Sequence, residues 1–473
     1  MVWHFLVALA PIVVVLVLLA TRVPSLWAGV AGLGTALLGT AVAFRPTGDV
    51  VQATVADMGP TVLEVALLLL GGVGLATAMA RTGAQDRIAS WLRETESGAD
   101  RTVTLLLLVF GMTPFMESVT GFGLGVVITA PLLVQLGLPP AKAVLASLLG
   151  MVLVPWGSLG PGTLIAAQLG GEDLHALGVE SALLTPVVLI VSMVAVLGVL
   201  VGRPDARQLA LAAGVIVVEW GVLLGANVLI GTPLSGVLAP AAVMAGLLMV
   251  TRLTHGPLPR ISAPLVRSVV PHLVLVAGIL ASTALLAVTD TADWLDWLSS
   301  PALWLIVAAV VAITASGVPV DRAAVARGAL RRWVPTAANA LVFMVLGIVM
   351  AATGMAEHLA TTAAHLGFGF VATIPAIGAL GGYLTGSNTG AAAMFSSATS
   401  AAAANLGADP LVALAGQNVA GSFAIIASPP RIALATAVTL AAGERLPGSA
   451  MRVIVRSVLV AAVVLGGAML LLA

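Results

Sequence analysis

Two polar runs, Glu117-Ser118-Val119-Thr120-Gly121 and Gly386-Ser387-Asn388-Thr389-Gly390, sit in the middle of two long apolar stretches, 102–136 and 367–405. Each stretch exceeds one membrane helix, and each is interrupted at mid-length by glycine together with short polar side chains. Glycine lets a chain turn and approach a ligand closely, and the other side chains supply donors and acceptors. Arms of about 15 residues fall short of the roughly 20 that a crossing needs, so each stretch reads as a re-entrant hairpin.

The chain around them is membrane helix. Of its 473 residues 60% are hydrophobic and 8% charged, with a mean hydropathy of +1.13, more apolar surface than a soluble core requires. Apolar runs of 17–22 residues recur from Trp3–Ala20 to Val453–Ala473, long enough at 1.5 Å per residue to span a hydrocarbon core of roughly 30 Å. Backbone groups there must be satisfied internally, and the alternating pattern of a transmembrane barrel is absent, so the spans are helices. Crossings are expected at 3–20, 26–44, 60–80, 141–170, 181–201, 208–230, 234–251, 269–289, 301–318, 333–353, 411–442 and 453–472. The first run lacks the basic start and cleavage site of a signal peptide and reads as helix 1. The expected fold is therefore an all-α integral membrane protein of about 12 transmembrane helices plus two re-entrant hairpins.

Twenty basic residues balance twenty acidic ones, which gives nucleic-acid binding no support. There is no Cys, so thiolate metal sites and disulfides are excluded. The histidines, among them His272, His358 and His365, lack metal-ligand spacing, and no cofactor is expected.

The positive-inside rule orients the helices. If each interrupted stretch begins and ends on the same side, one side collects Arg22, Arg81, Arg87, Arg93, Arg101, Lys142, Arg203, Arg207, Arg252, Arg260 and Arg267. It also collects Arg322, Arg327, Arg331, Arg332, Arg445, Arg452 and Arg456, while the other side holds Arg45 and acidic loops at Glu172-Asp173 and Asp290–Asp296. Counting each stretch as one crossing degrades this eighteen-to-one split to eight against eleven. Both termini then lie outside the cytoplasm. Nineteen of the twenty basic residues are Arg, the usage of a GC-rich bacterial genome, so a bacterial inner (plasma) membrane is the expected location.

The second interruption repeats the first at a nearly constant offset. Thr120-Gly121 matches Thr389-Gly390 at 269, and Leu136-Gly137 with Pro140 matches Leu406-Gly407 with Pro410 at 270. Ser158, between Pro155, Gly157, Gly160 and Pro161, matches Ser428 before Pro429-Pro430, again at 270. Seven crossings separate equivalent points, and an odd number inverts the second copy. Three parts follow: a first inverted repeat, 1–202, with hairpin 1 at 102–136 and a broken helix at 141–170; linking helices, 203–267; and a second repeat, 268–473, with hairpin 2 at 367–405 and a broken helix at 411–442. Inverted repeats whose discontinuous helices meet at the midplane are the architecture of many secondary transporters.

Irregular backbone at membrane depth survives only inside protein or around a watery cavity, so the interruptions point inward. Half-helix N-termini suit a carboxylate, and facing carbonyls suit a cation or a proton carrier. The candidate substrate site combines Ser118, Thr120 and Gly121 of hairpin 1, Ser387, Asn388 and Thr389 of hairpin 2, and Ser158 and Ser428 of the broken helices. Glu117, an acid at bilayer depth, is the candidate proton-coupling group. Arg431 follows Ser428-Pro429-Pro430 and could hold a substrate carboxylate bidentately, or serve as counter-ion to Glu117. Gln417 and Asn418 are supporting polar candidates. Glu219 is a candidate for pairing across a dimer or scaffold interface, which leaves a homodimer open, and Asn227 and Asn339 read as interhelical hydrogen-bond glue.

Glu117 followed by Thr120-Gly121-Phe122-Gly123, Ala130-Pro131-Leu132-Leu133 and Leu136-Gly137-Leu138-Pro139-Pro140 resembles the lactate permease family. So do Leu384-Thr385-Gly386-Ser387-Asn388-Thr389 with Phe395, and Ser428-Pro429. The resemblance implies a symporter, not an enzyme, driving proton-coupled uptake of lactate or a related 2-hydroxy monocarboxylate such as glycolate. Its partners would be a small carboxylate and the lipid bilayer. The chain departs from the family pattern at Asn388, where an acid is usual, at Ser118 and Val119, where small residues are usual, and at Arg431. Ser387-Asn388-Thr389 is also similar to the tips of sodium-coupled dicarboxylate carriers, so a sodium-coupled di- or tricarboxylate transporter is the alternative.

Overall fold

The computed structural model describes residues 2–96, 100–121, 123–288, 297–441 and 444–473, the side chains of Arg93, Glu96 and Ala287 excepted. Phe122, the acidic loop 290–296 and the expected span ends at Thr289 and Ala442 lie outside the described residues. The chain begins with α1 (Val2–Ala20), α2 (Ser25–Val42), α3 (Gly48–Arg81) and α4 (Ala84–Glu96). Hairpin 1 follows: α5 (Arg101–Leu106), a π-helical turn Leu107–Met112, α6 (Thr113–Thr120), and the return arm α7 (Leu124–Gln135). The first broken helix is α8 (Pro140–Leu149), a 3-10 segment Val154–Leu159 and α9 (Pro161–Gly170). Then come α10 (Leu174–Leu184), α11 (Pro186–Leu200), α12 (Ala206–Leu229), α13 (Thr232–His255), α14 (Ala263–Val288), α15 (Pro301–Thr314), α16 (Arg322–Ala352) and α17 (Met355–Ala364). Hairpin 2 is a 3-10 turn Phe368–Thr373 with α18 (Ile374–Thr385) and α19 (Asn388–Asn405). The second broken helix is α20 (Pro410–Ala424), Ile425–Ala427 and α21 (Pro429–Ala437), and α22 (Gly448–Leu472) ends the chain.

Twelve helical spans among the described residues are long and apolar enough to cross a membrane. The protein is a multi-pass, all-helical membrane protein. The outgoing arm of hairpin 1 and the second broken helix are 94% and 89% buried over their apolar windows, against 22% and 28% for α1 and α2. The first two therefore lie in the interior and α1 and α2 in the lipid-facing shell, while the outgoing arm of hairpin 2, at 44%, is part-exposed.

Several elements differ from the expected spans. The arms of the hairpins are not uniform: Arg101–Thr120 and Phe368–Thr385 run 20 and 18 residues, while α7 has 12. Pro114 widens a turn of the first arm, since its ring would strike the carbonyl four residues back in a regular helix. The π turn opens the ladder there, and the Thr113 hydroxyl donates to the Leu108 carbonyl five residues back. The crossing expected at 60–80 starts earlier, at Gly48, where Thr47 caps the helix by accepting the Val50 N–H. The crossing expected at 181–201 starts at Leu174, capped by Asp173, and breaks at Pro186. Helices α4 and α17, both amphipathic, occupy segments expected as loops.

Contacts at the helix ends place the hairpin bases. Asp100, before hairpin 1, pairs with Arg207 at 3.0 Å, and Lys142, just after it, donates to the Val199 carbonyl at 2.9 Å. Val199 and Arg207 flank one short turn, so hairpin 1 begins and ends at the same end of the bundle. Asn405, closing hairpin 2, donates to Glu357 just before it at 3.2 Å, so hairpin 2 does likewise. The far end of the first broken helix meets that second base: Ser400 donates to the Gly170 carbonyl at 2.7 Å. Nearby, burial first and the Asp409 carboxylate second raise the Glu172 carboxyl above the usual carboxylate range.

Glycines permit the tightest crossing. A Cβ on Gly382 of α18 would lie 1.8 Å from the Gly421 carbonyl oxygen of α20, and one on Gly378 would lie 2.4 Å from that of Gln417. Small residues at i and i+4 let membrane helices touch backbone to backbone. Gly382→Val therefore forces α18 off α20 at a cost of about 1–3 kcal/mol or more. Thermal unfolding in detergent should show a drop of several degrees, while Gly34→Ala, with no atom within 4 Å of the added carbon, leaves the midpoint unchanged.

Candidate functional site

The interruptions wall a cavity of about 460 Å³. Hairpin 1 contributes Glu117 and Gly121, the first broken helix Gly157, Ser158, Pro161 and Gly162, hairpin 2 Thr385 to Thr389, and the second broken helix Pro430, Arg431 and Leu434. Ser25 of α2, Leu69 of α3, and Thr336 and Asn339 of α16 close the opposite wall. Helices α9 and α19 begin at this cavity, so their unpaired N–H groups and positive dipole ends lie along its wall.

Glu117 owes its position to two glycines. Gly121 ends α6 at φ +69°, donating back to the Glu117 carbonyl at 2.7 Å, and Gly123 starts α7 at φ +82°. That left-handed conformation points the Gly123 N–H at the Glu117 carboxylate, 3.1 and 2.9 Å from its two oxygens. A side chain is excluded at either position. A Cβ on Gly121 would lie 2.8 Å from Ser158, and one on Gly123 would lie 2.4 Å from Nη1 of Arg431.

Arg431 sits in the first turn of α21, where the Ser428 hydroxyl accepts its backbone N–H at 3.4 Å. Its Nη2 stands 3.5 Å from Oε1 of Glu117, with side-chain exposures of 13% and 3%. At that separation the two charges attract, but the contact is longer than the roughly 2.7–2.9 Å of a tight charge-assisted hydrogen bond. The pair is shielded from bulk water yet loosely latched.

Ser158 and Leu159 adopt left-handed conformations at φ +53° and +64°, which place the break in the first broken helix at the Ser158 position. Such backbone costs non-glycine residues about 1–3 kcal/mol each and persists where the surroundings enforce it. The Ser158 hydroxyl is buried without a partner among the described residues. In hairpin 2, Ser387 caps α19 by accepting the Gly390 N–H at 3.4 Å, and Asn388 donates from Nδ2 to Oδ1 of Asn418 at 2.9 Å.

Four of the expected residues point elsewhere. Ser118 lies on the opposite face of α6, turned toward α13, where a Cβ on Gly236 would be 2.9 Å from its hydroxyl. Thr120 spends its hydroxyl on the Met116 carbonyl of its own helix. Ser428 is fully buried as the α21 cap and does not line the cavity. Gln417 receives the Thr399 hydroxyl and donates to Ser396 at 2.9 Å, so it ties α20 to α19. Glu219 is fully buried within the chain, with neither carboxyl oxygen partnered among the described residues, so its carboxyl is not displayed on the outer surface. Asn339 does make the interhelical bond expected of it, accepting from Ser25 at 2.7 Å, but it also faces the cavity. Ser25 was not anticipated, because Pro24-Ser25 reads as an ordinary helix start.

A chamber walled by helix ends inside a membrane bundle, with a shielded ion pair on one wall, is the site of a membrane permease. The sequence comparisons narrow that class. The L-lactate permease family model matches residues 4–257 and 263–473, and the chain belongs to that family. An L-lactate permease of Streptococcus iniae is 26% identical over 344 residues, covering 66% of this chain and 72% of its own. One from Escherichia coli K12 is 25% identical over 438 residues, covering 79% and 78%. In structure, the Alcanivorax borkumensis YdaH transporter superposes with a TM-score of 0.51 at 16% identity, over 88% of this chain and 86% of that one, a likeness of fold.

The buried pair makes a stability prediction independent of any substrate. Removing one partner of a buried ion pair strands the other charge at a cost of about 3–5 kcal/mol, whereas removing both is far cheaper. Arg431→Ala should lower the unfolding temperature more than the double variant Glu117→Gln/Arg431→Ala does. Equal losses would mean that the two charges do not support one another.

Proposed function

We propose that the protein is a proton-coupled symporter for lactate or a related 2-hydroxy monocarboxylate such as glycolate, working in a bacterial inner membrane. The observation that carries this reading is the loosely latched Glu117–Arg431 pair on the cavity wall. Family membership supports lactate, and the resemblance of the hairpin motifs supports a proton.

Charge balance supplies the coupling. With the cavity empty, Glu117 carboxylate and Arg431 cancel. A substrate carboxylate can take Arg431 only if Glu117 gives it up, and protonation of Glu117 does that. The loaded site, protonated Glu117 with substrate on Arg431, is neutral again. Anion alone leaves one net negative charge in a low-dielectric interior and proton alone one net positive, and both are penalised by several kcal/mol. Only the empty and doubly loaded forms then cross readily.

In this reading the hairpin tips and broken helices form the moving unit, two inverted repeats of one design, and the wall of α2, α3 and α16 is the fixed scaffold. Ser25 lies three residues from Arg22, and Thr336 four from Arg332, so the scaffold wall lies at the arginine-rich end. By the positive-inside rule the cavity faces the cytoplasm and both termini lie outside it.

Proteoliposomes given labelled L-lactate under an imposed pH gradient test the proposal. Glu117→Gln should keep lactate exchange but lose gradient-driven accumulation. Arg431→Ala should weaken lactate by about thirtyfold or more, the worth of about 2 kcal/mol or more for a lost buried charge contact. Undiminished accumulation by both variants would sink the assignment. Uptake that follows a sodium gradient and ignores a protonophore would transfer it to the sodium-coupled alternative. Gly123→Ala, which drives a methyl into Arg431, should lower affinity, while Gly137→Ala, equally strained at φ +79° but with open space around it, should not.

A further inference from the structure

A chain of hydrogen bonds behind the cavity fixes which atom of Asn388 the substrate meets. It starts at the Pro155 carbonyl, which can only accept. The Thr163 hydroxyl therefore spends its one proton there, at 2.6 Å, and has only lone pairs left. Asn418 approaches Thr163 at 3.1 Å and Ser181 at 3.1 Å, and with Thr163 able only to accept, that atom must be the amide nitrogen Nδ2. Oδ1 of Asn418 then faces Asn388 as an acceptor, so Asn388 must present its own Nδ2, at 2.9 Å. Every step is forced by the one before, and an amide flip anywhere would set donor against donor or acceptor against acceptor.

What remains is Oδ1 of Asn388. No group among the described residues donates to it, and the residue lines the same cavity as Glu117 and Arg431. An acceptor with no donor, held in a cavity that takes a carboxylate, calls for an O–H on the ligand. Resting on the function proposed above, we infer that Asn388 is the specificity-determining residue of the site. Its Oδ1 accepts the 2-hydroxyl of the substrate, and Thr163 and Asn418 are positioning residues that hold the acceptor outward. A 2-oxo acid offers a carbonyl oxygen to that same atom and is repelled. A plain carboxylate leaves the acceptor unmade but is not repelled. The rank order is therefore 2-hydroxy, then unsubstituted, then 2-oxo acid.

The test is competition against labelled L-lactate in proteoliposomes by three acids that differ only at carbon 2: lactate, propionate and pyruvate. Wild type should prefer lactate over propionate by about tenfold, the effect of one hydrogen bond left unmade, and rank pyruvate last. Asn388→Ala and Thr163→Val should bring lactate and propionate close to parity while propionate itself stays within about threefold of wild type, which also shows that the variants fold. Thr163→Ser, which keeps the hydroxyl, should keep the preference, a rescue that a merely structural role for the methyl-bearing side chain would not give. Preference unchanged in Asn388→Ala and Thr163→Val overturns the assignment, as does a wild type that ranks pyruvate with lactate. Loss of sodium-stimulated binding in Asn388→Ala with the preference intact overturns it in favour of a cation ligand. A wild type that takes none of the three acids removes the carboxylate reading first, and this one with it.

Discussion

A carboxylate and a guanidinium facing each other across 3.5 Å, inside a largely apolar helix bundle, set the terms for the cavity around them. Neither charge is tolerable there alone, so each needs the other or a substitute. The helix ends that surround them exist for the same reason. Breaking a membrane helix exposes backbone donors, and those donors are useful only beside a negative charge or a cavity. Gly123 shows the economy of this: one left-handed glycine starts α7, caps both oxygens of Glu117 and leaves room for Arg431.

Much of this was legible in the sequence because membrane helices advertise their interruptions. An apolar stretch too long for one span, with Gly and a short polar side chain at its centre, has few other readings. Glu117, Asn388 and Arg431 stood out because a charge or amide at bilayer depth is costly, and all three line the cavity. The arginine count kept the two ends of each hairpin together, as the contacts of Asp100, Lys142 and Asn405 do.

Side-chain direction was not legible. Ser118 and Thr120 neighbour Glu117 in sequence, but on a helix the next residue leaves the face that Glu117 occupies, and Thr120, three positions on, satisfies its hydroxyl on its own backbone. Ser428 and Ser387 carry the same capping signature, yet only Ser387 also meets the cavity. Thr163 and Ser181 gave no signal, since their role depends on Asn418 arriving from more than two hundred residues away. The long α3 and the helices α4 and α17 were hidden by an ordinary mixture of polar and apolar residues, which marks a helix end or an interfacial helix no better than a loop.

The glycine seam between α18 and α20 carries a mechanical consequence. Backbones in contact at Gly382 and Gly421 cannot slide without colliding, so the arm that delivers Asn388 and the helix that carries Asn418 behave as one solid piece. The orientation of the Asn388 amide is thus a property of that piece and travels with it. Whatever path the tip takes through the membrane, the atom it shows to the cavity stays the same, and selectivity need not be rebuilt at each end of the stroke.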